Sequence, residues 1–349
     1  MKIHEKYMLR CIQLAKNGLG TTYPNPLVGS VVVHNNMIIG EGWHYQAGQP
    51  HAEVNALENV ENRELLKDAT IYVSLEPCSH FGKTPPCANL IVESGIKKVV
   101  IGSLDPNPQV AGRGIKRLIE AGCEVIVGVL DKECDELNKR FFTFHMKKRP
   151  YIFLKWAQTS DGFVAPKSET RNEKKPVWIT NTFSRQIVHK MRAEEQAILV
   201  GTNTVLEDNP TLTVRDWYGK NPIRVIIDKT LKISPEVSVF DGSVKTIVFN
   251  NKESKISDNI EFEKLDFKKN IPQQICDVLF KNNIQSIIIE GGSKTLQSFI
   301  DTSLWDEAYI FTGKNTFSEG IKTPIFKGDI FSEKMIKEDT LKIFKNPSI

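Results

Sequence analysis

Twice along this chain, short apolar runs alternate with helix-patterned stretches, and the alternation restarts after Pro150. Strands interleaved with helices leave few architectures open beyond layered α/β folds. In the first half, residues 5–20 carry apolar side chains at helical spacing and end in glycines, and residues 28–43 read as a hairpin. Segments 69–75, 96–105 and 123–130 read as short buried strands, with helices expected to begin at His51, near Pro86 and after "AGRG". That order predicts an α/β/α sandwich. A polar helix over 131–148 ends in the basic "KKRP". Strands at 151–157, 197–201, 223–228, 245–249, 286–292 and 307–313 then predict a second α/β domain. The charged stretch 250–270 reads as a surface connection. A chain of 349 residues exceeds one ordinary core, so domains of 1–147 and 148–349 are expected.

Composition narrows the class of protein. Hydrophobic residues make up 40% and charged residues 25%, and no stretch approaches the roughly 20 apolar residues of a membrane span. The first residues interleave charges with apolar side chains and so lack a signal peptide's apolar segment, which predicts a cytoplasmic protein. A net charge of +4 without basic arms argues against a broad nucleic-acid footprint. Six scattered cysteines are too few for a disulfide framework and read as reduced thiols.

Two of those thiols stand in a chemically suggestive setting. "HAEVNALENV" (51–60) is followed by "PCSHFGKTPPC" (77–87). A catalytic zinc takes three protein ligands and keeps a fourth position for water, and His51, Cys78 and Cys87 supply three. Cys78 follows an expected strand, and Pro85-Pro86-Cys87 reads as a helix start, where the helix dipole favours a thiolate. Glu53 lies two residues from His51, off its helix face, so it is expected beside the attacking water and not on the metal. There it can take a proton from water and give one to a leaving amine. The plainer readings are a chance HxE with a buried apolar thiol, or a structural zinc completed by His80, which ranks below water.

The eleven-residue "PCSHFGKTPPC", with "PNPLVGSVVV" (24–33), "GEGWHYQAGQPHAE" (40–53) and "DPNPQVAGRGI" (105–115), closely resembles the deaminase half of the bifunctional riboflavin-biosynthesis deaminase-reductases. The resemblance implies a cytidine-deaminase-like sandwich that deaminates a diamino-pyrimidinone carrying a ribosylamino 5-phosphate. It further implies that Asn25 and His44 contact the pyrimidine, while Lys83 and Asn107 bind the ribose phosphate end. Amide, imidazole and ammonium groups suit those tasks.

In the second half, "LKWAQTSDG" (154–162), "WITN" (178–181), "AILVGTNTVLEDNPTLTVR" (197–215) and "IEGGSKTLQSF" (289–299) are spaced across the domain. No GxGxxG follows a strand, which disfavours a Rossmann site, but Gly291-Gly292 opens a helix able to cradle phosphate. These segments resemble the reductase half of the same family, similar in fold to dihydrofolate reductase. The resemblance implies that NADPH faces Ala157, Trp178, Thr204, Asp208 and the run Gly292, Ser293, Lys294, Thr295, Leu296, Gln297 and Ser298. It implies a substrate site of Lys155, Arg192, Leu212, Arg215 and Glu290, the arginines suiting phosphate and Asp208 or Glu290 offering a general acid. Ser160 stands where the family usually has an aliphatic residue, and Pro176 where a substrate-binding serine is often found. A homo-oligomer acting on small molecules, with zinc (Zn2+) and NADPH, is the expectation. Its rivals are a deaminase of another nucleotide or nucleic-acid base with a non-catalytic second domain, and a zinc-stapled scaffold.

Overall fold

The computed structural model describes residues 3–79, 85–107, 111–167 and 175–347. The chain forms two compact units, Met1–Lys148 and Arg149–Ile349. In the first, five strands lie in the order β2 (Met37–Trp43), β1 (Gly29–His34), β3 (Thr70–Leu75), β4 (Lys98–Ser103) and β5 (Glu124–Val127). β1 and β2 form the expected hairpin, and β3, β4 and β5 run parallel.

Both faces of this sheet are covered, which is why its strands read as nearly continuous apolar runs. Val32, Ile71, Val73, Val99 and Ile101 pack with residues of α2 (Ala52–Glu58), α3 (Cys87–Glu93) and α4 (Arg113–Glu120). Their neighbours Val31, Val33, Tyr72 and Val100 point the other way, against α1 (Ile3–Ala15) and α5 (Asp131–Leu137). The period of two thus divides each strand between two cores, giving the α/β/α sandwich. The single helix expected over 131–148 is instead α5 followed by α6 (Lys139–Lys147), with Asn138 between them bonded to Leu27 in both directions. That side chain takes the break because it satisfies a backbone N–H and C=O elsewhere in the fold.

Glycines on β2 bring α2 unusually near. A Cβ on Gly40 would lie 2.3 Å from the Ala56 carbonyl oxygen, and one on Gly42 would lie 2.7 Å from the Ala56 nitrogen. Asn55 then ties the helix start to the strand end, its Nδ2 donating to the Trp43 carbonyl at 2.7 Å. These contacts fix where the first turn of α2 points.

The second unit is built on a ten-stranded sheet, β11-β12-β10-β9-β8-β13-β6-β14-β17-β16, closed at one edge by β17 (Asp339–Lys345) and β16 (Ile330–Ile336), while β7 (Phe163–Ala165) and β15 (Ile321–Lys322) pair separately. Its parallel centre comprises β9 (Ile223–Ile227), β8 (Ala197–Gly201), β13 (Ser286–Ile289), β6 (Tyr151–Gln158) and β14 (Glu307–Thr312). Leu154, Leu199 and Ile287 pack with α9 (Ile271–Lys281) and α10 (Ser293–Asp301). Phe153, Ile198 and Ile288 pack with Met191 of α7 (Thr182–Glu194) and Val205 of α8 (Thr202–Asp208). The stretch 250–270 is not a mere connection. It contains β11 (Lys255–Ser257) and β12 (Ile260–Lys264), which extend the sheet from β10 (Thr246–Asn250).

Candidate active sites

The first site gathers at the carboxyl ends of β3 and β4. Leaving β3, the chain runs through Glu76 and Pro77 to Cys78; the helix-starting Cys87 returns beside it, its backbone N–H donating to the Cys78 sulfur at 3.3 Å. His51 caps the start of α2 and turns Nδ1 toward both sulfurs, 3.6 Å from Cys78 and 3.3 Å from Cys87. A tetrahedral zinc with bonds of ~2.3 Å to sulfur and ~2.0 Å to nitrogen separates such donors by roughly 3.5 Å. The three side chains therefore already stand at the spacing the metal requires. Among the described residues, this is the grouping whose donors all lie within 4.8 Å of one another. His80 and Lys83 lie outside the described residues.

Electrostatics support the same division of roles. The Cys78 thiol is drawn well down by hydrogen bonding to Cys87 and His51, as a ligand thiol should be. Glu53 is 3% exposed, and burial, with the Cys78 charge beside it, pushes its carboxyl up to about 7. A carboxyl poised there exchanges protons readily at neutral pH. His44 is also buried, with its Nδ1 3.0 Å from the Pro50 carbonyl and its Nε2 3.0 Å from Asn25 Nδ2. Since a carbonyl only accepts, Nδ1 carries the proton and Nε2 accepts from Asn25. Asn107 lies beyond β4, where its N–H donates to Asp105 Oδ1 at 2.7 Å.

The second site is a cavity of about 500 Å³ at the carboxyl ends of β6, β8 and β13. Ligands of open α/β sheets characteristically bind there. Ala157, Trp178, Thr204, Asp208, Gly292, Lys155, Arg192, Leu212, Arg215 and Glu290 all line it. The rest of the 292–298 run does not. Leu296 is fully buried in the core, Gln297 bonds Asp301 and the Ile325 backbone, and the Ser298 hydroxyl donates to the Thr295 carbonyl. Ser293, Lys294 and Thr295 form the first turn of α10 just past the cavity wall. Helical geometry explains the split, because successive side chains of one turn face different directions. Pro176 lines the cavity as well, whereas Ser160 bonds the 314–315 backbone away from it.

At the cavity floor Glu290 meets two cations, Arg192 at 3.0 Å and Lys155 at 3.6 Å. Burial alone raises its pKa, but Arg192 and Lys155 outweigh burial and hold the carboxyl below its ordinary value. Lys155 shifts down because burial disfavours its charge. Arg192 Nε and Glu290 Oε1 are buried without a hydrogen-bond partner, polar atoms for which a ligand in the cavity would provide one.

Sequence reasoning missed several lining residues here. Arg185, Val188 and His189 share one face of α7, at i, i+3 and i+4, with Arg192 at i+7, which the resemblance already placed at the substrate; the pattern is visible in the sequence but unremarkable without knowing what it faces. His189 Nδ1 accepts the Arg215 backbone N–H at 3.0 Å. Arg185 bonds Asp216 at 2.5 Å and lies 4.8 Å from the Trp178 ring centroid.

Comparison with known proteins follows the same two-part division. Residues 1–103 match the cytidine and deoxycytidylate deaminase zinc-binding region, and residues 150–332 match the RibD C-terminal domain. The riboflavin biosynthesis protein RibD of Aquifex aeolicus is 42% identical over 349 residues, covering 99% of this chain and 94% of that protein. The Escherichia coli RibD is 37% identical over 329 residues, covering 88% and 86%. A crystal structure of a Thermotoga maritima diaminohydroxyphosphoribosylaminopyrimidine deaminase/5-amino-6-(5-phosphoribosylamino)uracil reductase superposes with a TM-score of 0.89 at 39% identity, covering 99% of both chains.

Proposed function

This chain belongs to the bifunctional deaminase-reductases of riboflavin biosynthesis, and on that premise we propose how its residues divide the two reactions. It is a zinc-dependent hydrolytic deaminase of diaminohydroxyphosphoribosylaminopyrimidine. It is also an NADPH-dependent reductase of 5-amino-6-(5-phosphoribosylamino)uracil. When bound, zinc supplies the Lewis acidity that lets water attack a ring carbon at neutral pH, and NADPH supplies a hydride.

The deaminase reading assigns the metal to His51, Cys78 and Cys87. Asn25 and His44, locked to each other, hold the pyrimidine edge, while Asn107 and Lys83 hold the phosphoribosyl end. Glu53 takes a proton from the attacking water and returns one to the departing amine, so that the C–N bond breaks with ammonia as the leaving group. The observation that carries this assignment is a buried carboxyl poised near neutrality beside three donors at zinc spacing.

In the reductase reading, Arg192 and Arg215 hold the substrate phosphate, Leu212 packs against the substrate, and Ala157, Trp178, Thr204, Asp208 and Gly292 at the start of α10 would face the cofactor. With NADPH bound, its hydride would go to the anomeric carbon as the ring C–O bond breaks, and the freed ring oxygen would need a proton from this chain. Glu290 is held anionic, which argues against it as that proton's source. Lys155, whose grip on its proton burial weakens, is the better donor, with Glu290 orienting it.

The reading extends to a cytoplasmic homo-oligomer acting on free nucleotides. Incubating the purified protein with the diaminopyrimidine nucleotide tests the whole scheme. Without NADPH the product should have gained one atomic mass unit, as NH replaced by O requires, and with NADPH two further hydrogens. No mass change in zinc-loaded protein would refute it.

A further inference from the structure

The deaminase unit contains a second buried carboxylate that neither reaction uses. Glu76 is 4% exposed and follows β3, with only Pro77 between it and Cys78. Its Oε1 accepts the backbone N–H groups of Gly114 at 3.0 Å and Ile115 at 3.4 Å. Its Oε2 accepts those of Gly112 at 3.0 Å and Asp105 at 3.4 Å. Gly114 and Ile115 lie in the first turn of α4, whose unpaired N–H groups need acceptors and whose dipole favours an anion.

The contacts reach both halves of the site. On one side, Gly114 sits so near the zinc-ligand peptide that a Cβ would lie 2.0 Å from the Pro77 carbonyl oxygen, which leaves room for glycine alone. On the other, Asp105 receives the Asn107 N–H at 2.7 Å, so two hydrogen bonds join Glu76 to Asn107. We propose that Glu76 is a positioning residue for deamination, clamping the loop that bears Asn107 at a set distance from the Cys78 ligand. This rests on the assignment of Asn107 to the phosphoribosyl end of the substrate.

Only a carboxylate fits the clamp on both sides. An amide of the same size turns one of its ends into a donor, which then faces two N–H donors and releases either the Asp105–Gly112 pair or the Gly114–Ile115 pair. Second-layer partners of this kind are typically worth about 10- to 100-fold. Glu76→Gln should raise the KM for the phosphorylated substrate about tenfold, with kcat and zinc content near wild type. The dephosphorylated ribosylamino compound, measured as a competitive inhibitor, should keep its Ki, because it lacks the group the loop holds.

Asp105→Ala removes the same relay without touching the α4 contacts, and it carries the test if Glu76→Gln fails to fold. Its effect should match that of Glu76→Gln and not add to it in the double variant. Equal loss of affinity for both compounds, or a lowered melting temperature with unchanged KM, would overturn the inference. Asn107→Ala separates the layers of the argument. If that variant binds normally, the assignment of Asn107 fails and the proposal with it. If it is impaired while Glu76→Gln is normal, the role of Glu76 alone fails.

Discussion

The cluster of His51, Cys78 and Cys87 was legible because its residue types and order are improbable together, and only its geometry was missing from the sequence. That geometry now sharpens the expected loss. If an outer-layer partner is worth about 10- to 100-fold in metal affinity, deleting a ligand must cost more than about 100-fold. Cys87→Ala should therefore purify without stoichiometric zinc, and elemental analysis showing a full complement would remove Cys87 from the metal. His189 was not legible, since a histidine inside a helical pattern most often packs in a core, and only the fold brings it against Arg192 and Arg215. Burial, reinforced by those two guanidinium groups, pushes its pKa down to about 4. The unfolded chain, with an ordinary value near ~6.5, binds this proton first as pH falls. His189 therefore imposes no penalty above about pH 6.5, and stability drains away as pH descends toward about 4. His189→Asn keeps an acceptor for the Arg215 N–H but cannot be protonated, so its melting temperature should fall less between about pH 7 and about pH 5. Parallel pH dependences for the two proteins would show that His189 does not carry this charge cost.

Elements buried on both faces announced themselves, and edge elements did not. β3, β4, β8 and β13 each carry a run of at least three consecutive apolar residues because helices cover both sides, whereas β11 is exposed along its length and β12 alternates charge with apolar groups. An edge strand buries too little to leave an apolar run, so 250–270 resembled a loop. The turn into α10 shows a similar limit. Its two glycines look equivalent in sequence, yet Gly291 has φ +97 and a Cβ there would meet Thr204 Oγ1 at 2.7 Å, while Gly292 has φ −58 and its nearest neighbour would be 3.9 Å away. Gly291→Ala should consequently destabilise the fold by at least the left-handed penalty of about 1–2 kcal/mol, read from denaturant unfolding. Gly292→Val meets no obstacle from the protein itself, so any block falls on the ligand. Its melting temperature should stay put while the KM for NADPH rises at least about tenfold, or ~1.4 kcal/mol. An unchanged KM would move the cofactor phosphates away from this turn.

At the scale of the molecule, the α/β pattern on either side of Pro150 foretold two separate cores, and each core carries one constellation. The His51–Cys78–Cys87 cluster and Glu53 belong to Met1–Lys148, and the Lys155–Arg192–Glu290 cluster belongs to Arg149–Ile349. Independent cores predict separable activities. Glu53→Gln keeps side-chain volume and a hydrogen-bonding end but accepts no proton, and the residue serves two proton transfers in the proposed scheme. Deamination should fall toward the upper part of the usual general acid–base range of about 10² to 10⁴-fold, with zinc retained. The same preparation, supplied with the deaminated aminouracil nucleotide, should oxidise NADPH at the wild-type rate. Paired assays with zinc measured alongside decide the matter. Retained deamination would show that Glu53 is not the proton carrier. Loss of both activities in folded, zinc-loaded protein would show that reduction depends on the state of the deaminase site, and that the two cores do not act independently.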